Sequence, residues 1–147
     1  FIAFKFNLNN DHLKYVYSNK FKRDKWTINN DVFNEYKKGI KSALHYTNLL
    51  KALCDKNNIK LTIAVYPWPT QIHYNDLDSK IVNIFGTFSK TNNIEFINFF
   101  PLFMNENDDE KKRYNTIKKY YFYEDTHFNK KGNRLIADYF LNYYKNL

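Results

Sequence analysis

The chain has 147 residues, of which 44% are hydrophobic and 20% aromatic, so it is long and apolar enough for one folded domain, and intrinsic disorder is excluded. Its formal net charge is +8, but the basic residues are spread along the chain rather than clustered, which argues against a nucleic-acid-binding surface. Cys54 is the only cysteine, which excludes an intrachain disulfide and a cysteine-rich metal site.

The first predicted element is a strand over residues 1–8, where apolar residues occupy alternate positions and some of the positions between them. Residues 9–30 are polar and aromatic, which favours a long surface loop with room for one turn of helix. A helix is predicted from about Val32 to Lys56, with Asp31 as its N-cap. Its apolar residues recur near helical spacing: Phe33, Tyr36, Ile40, Leu44, Leu50, Leu53 and Cys54.

The rest of the chain alternates strands and helices. The segment Ile59–Tyr66 is β-branched and almost wholly apolar, which is typical of a strand that is buried on both faces. A helix is predicted over Asp76–Thr91, a further strand over Ile94–Asn98 and a final helix from about Lys131 to Asn146. Residues 105–119 are rich in charge, and we expect them to form a mobile segment, either a solvated loop or a short helix.

This order of elements predicts an α/β fold, a three-layer αβα sandwich in which crossover connections build a parallel sheet between two layers of helices. In such sheets the functional site lies at the C-terminal edge of the strands. Asn10 and the segment Tyr66–Pro69 follow predicted strands and are expected at that edge. A loop that carries Asp125 and His127 can reach the same edge, so the motif and the fold agree.

Asp125 and His127 are the residues with the clearest chemical pattern. An aspartate two residues before a histidine can form the carboxylate–imidazole half of a nucleophilic triad, in which the carboxylate fixes the tautomer and the imidazole accepts a proton from a serine. The alternative is a structural pair, with an aspartate that caps a turn and a histidine that packs beneath the last helix. No metal ligands are assigned, because the four histidines show no His-x-x-x-His spacing for zinc.

Residues 125–137 have the pattern Asp-x-His-x-Asn-x-x-Gly followed by an apolar run, and this pattern resembles the last conserved block of the SGNH (GDSL-like) hydrolases. Residues 63–72 resemble the strand and loop that precede the final strand in some of these proteins, and Ile94–Asn98 fits that final strand. The resemblance extends from about Ile59 to the end of the chain. It is most similar to bacterial members, which include esterases and the O-acetyltransferases of cell-surface polysaccharides, and it implies a flavodoxin-like αβα fold.

The resemblance also implies roles for individual residues. His127 would act as general base and then as general acid, and Asp125 would orient it. Asn10 matches the oxyanion asparagine of the family, since the block Leu8–Asp11 follows a predicted strand, although Leu8 stands where the family has glycine. The alternative for Asn10 is a simple turn residue.

The family's nucleophile lies in a Gly-Asp-Ser block after the first strand, and that block would precede Phe1. None of the serines of this chain has the context of a nucleophile between a strand and a helix: Ser18, Ser42, Ser79 and Ser89. The resemblance therefore implies one SGNH-hydrolase-like domain over residues 1–147 that is N-terminally truncated, lacks its first strand and helix, and has its serine upstream. Alone, this piece is expected to be inactive and marginally stable, because apolar sheet surface would be exposed.

The expected substrate is a small acyl ester, or a glycan that is acetylated or accepts an acetyl group, and no cofactor or nucleic acid is expected. Trp68 either lines a pocket for sugar or acyl groups or covers the sheet edge, and Gln71 is expected to face the same pocket. Two other functions stay open: an inactive SGNH-fold module that binds glycan or a protein partner, and a basic interaction module. A membrane anchor, or a location in the cell envelope or periplasm, would depend on residues upstream.

Overall fold

The computed structural model describes residues 24–123 and 125–145, and both the predicted strand over residues 1–8 and Asn10 lie outside them. The described chain has an α/β fold. Its elements are α1 (Lys25–Ile28), α2 (Asn30–Lys56), β1 (Thr62–Val65), α3 (Pro69–His73), α4 (Lys80–Thr91), β2 (Glu95–Asn98), a 3-10 turn (Phe100–Leu102), α5 (Glu110–Tyr120) and α6 (Lys130–Lys145).

The two strands of the described residues pair in parallel, as the sequence predicts for the segments around them. The register runs from Thr62 opposite Glu95 to Val65 opposite Asn98. One further backbone hydrogen bond, from Phe99 N to Val65 O at 2.9 Å, extends the pairing past the end of β2. Both strands are shorter than predicted, and both end at the same edge, where the next residues begin the loops that carry the candidate site.

Helices α4 and α6 hold neighbouring residues of β2. The ring of Phe96 packs against Gly86 of α4. Glu95 forms an ion pair with Lys60 at 2.9 Å and a hydrogen bond with the hydroxyl of Tyr143 of α6. These two contacts, with the Lys60 bond as the largest cause, lower the pKa of the Glu95 carboxyl below its usual value and keep it ionised.

The core lies around the C-terminal ends of the strands rather than along their whole length. It is rich in aromatic side chains, and the deepest residues come from loops and helix ends as well as from the sheet. Its buried members are Val65, Ile72, Ile97, Phe99, Phe100, Phe103, Met104, Ile117 and Tyr121. This position of the core places well-packed side chains directly beneath the loop that bears Asp125 and His127.

Helix α2 forms where it is predicted, but its cap differs from the prediction. Asn29, not Asp31, is the N-cap, and its side chain accepts hydrogen bonds from Asp31 N at 2.9 Å and from Val32 N at 3.0 Å. None of the helix's residues is buried, and Leu50 and Leu53 are 47% and 58% exposed. The apolar residues of the helix are therefore half-buried or exposed in the described part of the chain.

Helix α5 lies in the charged segment that the sequence left undecided between a loop and a short helix. Of the two alternatives for residues 105–119, the helix is the one observed. Asp109 caps it by accepting a 2.7 Å bond from Lys112 N, and Ile117 anchors it because this side chain is fully buried. The guanidinium of Arg113 ties it to α3 through a 3.0 Å bond to His73 O.

Helix α3 was not predicted, and α4 begins at Lys80, four residues later than expected.

Candidate functional site

Asp125 and His127 lie in a short loop between α5 and α6 that is closed by backbone hydrogen bonds at its base. Tyr121 and Phe128 form an antiparallel bridge, and Phe122 N donates to His127 O at 3.1 Å. Asn129 N donates to Tyr120 O at 2.9 Å, which joins the start of α6 to the end of α5. The loop is thus held at both ends, and the side chains at its tip are presented outward.

The two functional side chains are in direct contact. His127 Nδ1 lies 2.7 Å from Asp125 Oδ1, and the same oxygen accepts bonds from the backbone N–H groups of Thr126 at 2.6 Å and His127 at 3.1 Å. The bond to His127 is the largest cause of a lowered pKa for the Asp125 carboxyl. An ionised carboxylate at Nδ1 requires a proton on that nitrogen, so the Nε2 lone pair of a neutral ring is left to act as a base.

The pair is open to approach. The His127 side chain is 82% exposed and that of Asp125 is 47% exposed. Within the described residues, no serine hydroxyl is hydrogen-bonded to His127: Ser42 lies in α2, and both Ser79 and Ser89 are fully buried around α4. The described chain therefore has an exposed carboxylate–imidazole pair to which none of its described serines is bonded.

The Asn-x-x-Gly that follows the pair has a structural explanation. The side-chain oxygen of Asn129 accepts from Lys131 N at 2.9 Å and Gly132 N at 3.1 Å, and its amide donates to Lys119 O and Tyr121 O, both at 3.0 Å. One side chain thus caps α6 and satisfies carbonyls at the end of α5. This part of the motif therefore positions the loop.

Asn129→Ala is expected to lower the free energy of unfolding by about 2–3 kcal/mol, because it removes a helix cap and leaves partly buried carbonyls without a donor. The measurement is urea unfolding followed by circular dichroism. Asn115→Ala is the control, since Asn115 is exposed in α5 and alanine is the better helix former. Equal stability of the two variants would contradict the assigned role of Asn129.

An aromatic cluster fixes the loop beside the end of β1. The ring of Phe128 lies 5.0 Å from that of Tyr66, 5.3 Å from Phe103 and 4.8 Å from Tyr121, between centroids. The Tyr121 hydroxyl donates to Pro67 O at 2.5 Å, and burial raises the pKa of this phenol well above its usual value, so it stays a donor. These contacts hold the Asp125 loop at the sheet edge where the sequence expects a site.

A pocket of about 260 Å³ lies at the same end of β1, and both Trp68 and Gln71 contribute to its lining. Gln71 is only 2% exposed, and its amide is fully hydrogen-bonded within the protein. Its oxygen accepts from Trp68 N at 2.7 Å, and its nitrogen donates to Thr27 Oγ1 at 3.3 Å and to Ser79 Oγ at 3.2 Å. Gln71 therefore holds the pocket wall together. The full lining is Asp24, Trp26, Thr27, Ala64, Val65, Tyr66, Trp68, Gln71 and Ile81.

The residues of α1 were missed as pocket residues by sequence reasoning. Trp26 and Thr27 fall in a segment expected to be a surface loop, and no local pattern connects them with residues some 40 positions later. The contact depends on the hydrogen bond between Gln71 and Thr27 and on Lys80 Nζ, which donates to Thr27 O at 2.9 Å. Only the tertiary structure brings these groups together.

Comparisons with protein-family models, with curated proteins and with solved structures found no significant match. The likeness to SGNH hydrolases stays a prediction that depends on the motifs of this chain.

Within residues 24–123 and 125–145, no group of three or more histidine, cysteine, aspartate and glutamate side chains could hold a metal ion. No helix in these residues combines the length and apolar character needed to cross a bilayer. Asn10 lies outside the described residues.

Proposed function

We propose that the protein is a member of the SGNH hydrolase superfamily that hydrolyses an acyl ester or transfers an acetyl group through a serine–histidine–aspartate triad. The observation that carries the proposal is the 2.7 Å bond between Asp125 Oδ1 and His127 Nδ1 on an exposed loop at the sheet edge. A histidine held through Nδ1 presents Nε2 to an incoming hydroxyl, as in the serine triads of unrelated folds.

In the proposed reaction, His127 Nε2 accepts the proton of the serine hydroxyl while the serine oxygen attacks the ester carbonyl. The protonated ring then gives that proton to the departing alcohol, which leaves an acyl-serine. Water or a sugar hydroxyl attacks the acyl-serine in the same way, and His127 again carries the proton. Asp125 stays ionised and stabilises the imidazolium, and the Asn10 amide donates to the oxyanion. The serine belongs to a segment outside the described residues.

We also propose that the complete fold is a three-layer αβα sandwich. Successive residues of a strand point to opposite faces of the sheet, and Glu95 bonds to α6 while Phe96 packs on α4. A contact between Thr62 Oγ1 and Tyr144 Oη at 2.7 Å adds a second tie between the sheet and α6. These contacts support helices on both faces of the sheet.

The alternative is an inactive module of the same fold that binds a glycan or a protein partner. It is favoured by one observation: no serine of the described residues bonds to the exposed His127. In this alternative, Asp125 and His127 would be a hydrogen-bonded surface pair without a proton to transfer.

The test is to incubate the full-length protein with short-chain nitrophenyl esters and, separately, with a fluorophosphonate that reacts with activated serines. We expect ester hydrolysis and a single labelled serine, located by mass spectrometry, whose labelling is blocked by prior heat denaturation. Absence of both hydrolysis and labelling in a protein that is folded by circular dichroism would refute the triad and leave the binding module.

A further inference from the structure

The pocket at the end of β1 has three aromatic residues in its lining. Trp26, Tyr66 and Trp68 line it, with aliphatic side chains from β1 and α4 between them. Its volume of about 260 Å³ lies just below the range of roughly 300–1,000 Å³ that is usual for small-molecule sites. The pocket therefore has room for one small ring and not for an extended ligand.

The aromatic walls also bring polar groups to the pocket. Trp26 and Trp68 are half-buried, Tyr66 is 44% exposed, and each carries one N–H or O–H group. Within the described residues, no hydrogen bond to these two indole N–H groups or to this phenol is present. A ligand with several hydroxyl groups offers acceptors for N–H and O–H donors of this kind.

The polar side of the pocket is held rigidly. The Gln71 amide uses both of its N–H groups on Thr27 and Ser79, and Thr27 Oγ1 donates to Asp24 O at 2.7 Å. These bonds join α1 to α3, the elements on either side of the pocket residues Trp26 and Trp68. Asp24 also belongs to the lining, and it is only 5% exposed.

We propose that this pocket binds one pyranose ring of a carbohydrate. The apolar C–H face of such a ring stacks on an indole or phenol ring, and its hydroxyl groups satisfy donors and acceptors at the edges. An acyl chain fits less well, because its methylene groups form no hydrogen bonds with the N–H and O–H groups of these lining residues. An organic cation is disfavoured, because the Lys80 ammonium lies at the backbone of Thr27, within the pocket lining, and the chain has a net charge of +8.

The pocket is close to the catalytic loop. Tyr66 forms one of its walls and also contacts the ring of Phe128, the residue next to His127. The sugar would be the part of the substrate that bears the ester or receives the acetyl group, and this step of the inference rests on the proposed function. Binding of the sugar requires only the pocket, so it can be measured independently of turnover.

Tryptophan emission provides the measurement, because both tryptophans of the 147-residue chain line this pocket. The full-length protein is titrated with the methyl glycosides of glucose, galactose, mannose and N-acetylglucosamine, and with butyrate as the acyl probe. We expect a saturable change with at least one glycoside and none with butyrate. Saturation by none of the glycosides, or by butyrate instead of them, would overturn the proposal.

Variants of Trp68 test whether the glycoside binds in this pocket. Trp68→Ala is expected to weaken glycoside binding about tenfold or more, and Trp68→Phe, which keeps a ring and loses the N–H, is expected to weaken it less. Tyr46→Ala is the control, since Tyr46 is 69% exposed on α2 and does not line the pocket. Unchanged binding by both Trp68 variants, each verified as folded by circular dichroism, would contradict the proposal.

Glycoside binding and ester turnover are measured separately on the full-length wild-type protein, and this separates the inference from the proposed function. Sugar binding without any ester turnover in the wild-type protein would refute the enzyme and leave the sugar site intact. Ester turnover without sugar binding would refute the sugar site and leave the proposed enzyme intact.

Discussion

Alanine in place of His127 is expected to lower the acyl-ester turnover of the full-length protein by at least about 1,000-fold, because the base that accepts the serine proton is lost. The fold is expected to survive, since this side chain is 82% exposed and surface substitutions usually change the free energy of unfolding by less than about 0.5 kcal/mol. The measurements are kcat and KM with a short-chain ester, together with urea unfolding of both proteins.

Two further variants make this result specific to the triad. His45→Ala changes another exposed histidine, on α2, and is expected to keep full activity. Asp125→Asn keeps the size of the side chain but removes the charge that stabilises the imidazolium, so turnover is expected to fall roughly 100- to 10,000-fold. Added imidazole is expected to restore part of the activity of His127→Ala. Undiminished turnover by His127→Ala would contradict the assignment of His127 as the general base.

The sequence predicts those elements of the fold that have a strong local signal. The apolar run around Thr62–Val65 and the helical spacing over Asn30–Lys56 both correspond to observed elements. Helix α5 has no such signal, because its mean composition is strongly polar and it depends on one buried residue, Ile117, and on the bond from Arg113 to α3. The spacing over α2 shows which residues share a face and not what covers that face, and in the described residues none of them is buried.

In the candidate site, too, the sequence predicts local contacts and misses contacts between distant residues. Asp125 and His127 are two residues apart, so their contact is a local property that a sequence pattern can predict. The contact of Tyr66 with Phe128 joins residues 62 positions apart, and the bonds of Gln71 depend on how α1, α3 and α4 pack. Such non-local contacts follow from the tertiary structure, and sequence reasoning could propose Gln71 as a pocket residue without finding its hydrogen-bonding role.

Gly132→Ala is expected to lower the free energy of unfolding by about 3 kcal/mol, because α6 crosses the end of α5 at this glycine. A Cβ at this position would lie 2.3 Å from Tyr120 O and 2.8 Å from the ring of Phe128. The backbone here does not have a positive φ, so the cost is steric and not conformational. The helix would have to move away from α5, which would stretch the bond from Asn129 N to Tyr120 O at the base of the loop that carries Asp125 and His127.

Gly39→Ala is a matched control for this prediction, since Gly39 is also helical but has no atom within 4 Å of a built Cβ. There the change is expected to raise the free energy of unfolding by about 0.5–1 kcal/mol, because alanine is the better helix former. The two variants thus make the same chemical change with opposite expected signs, measured by urea unfolding. If Gly132→Ala also stabilised the protein, the close approach of α6 to α5 would be wrong, and with it the placement of Asp125 and His127 at the sheet edge.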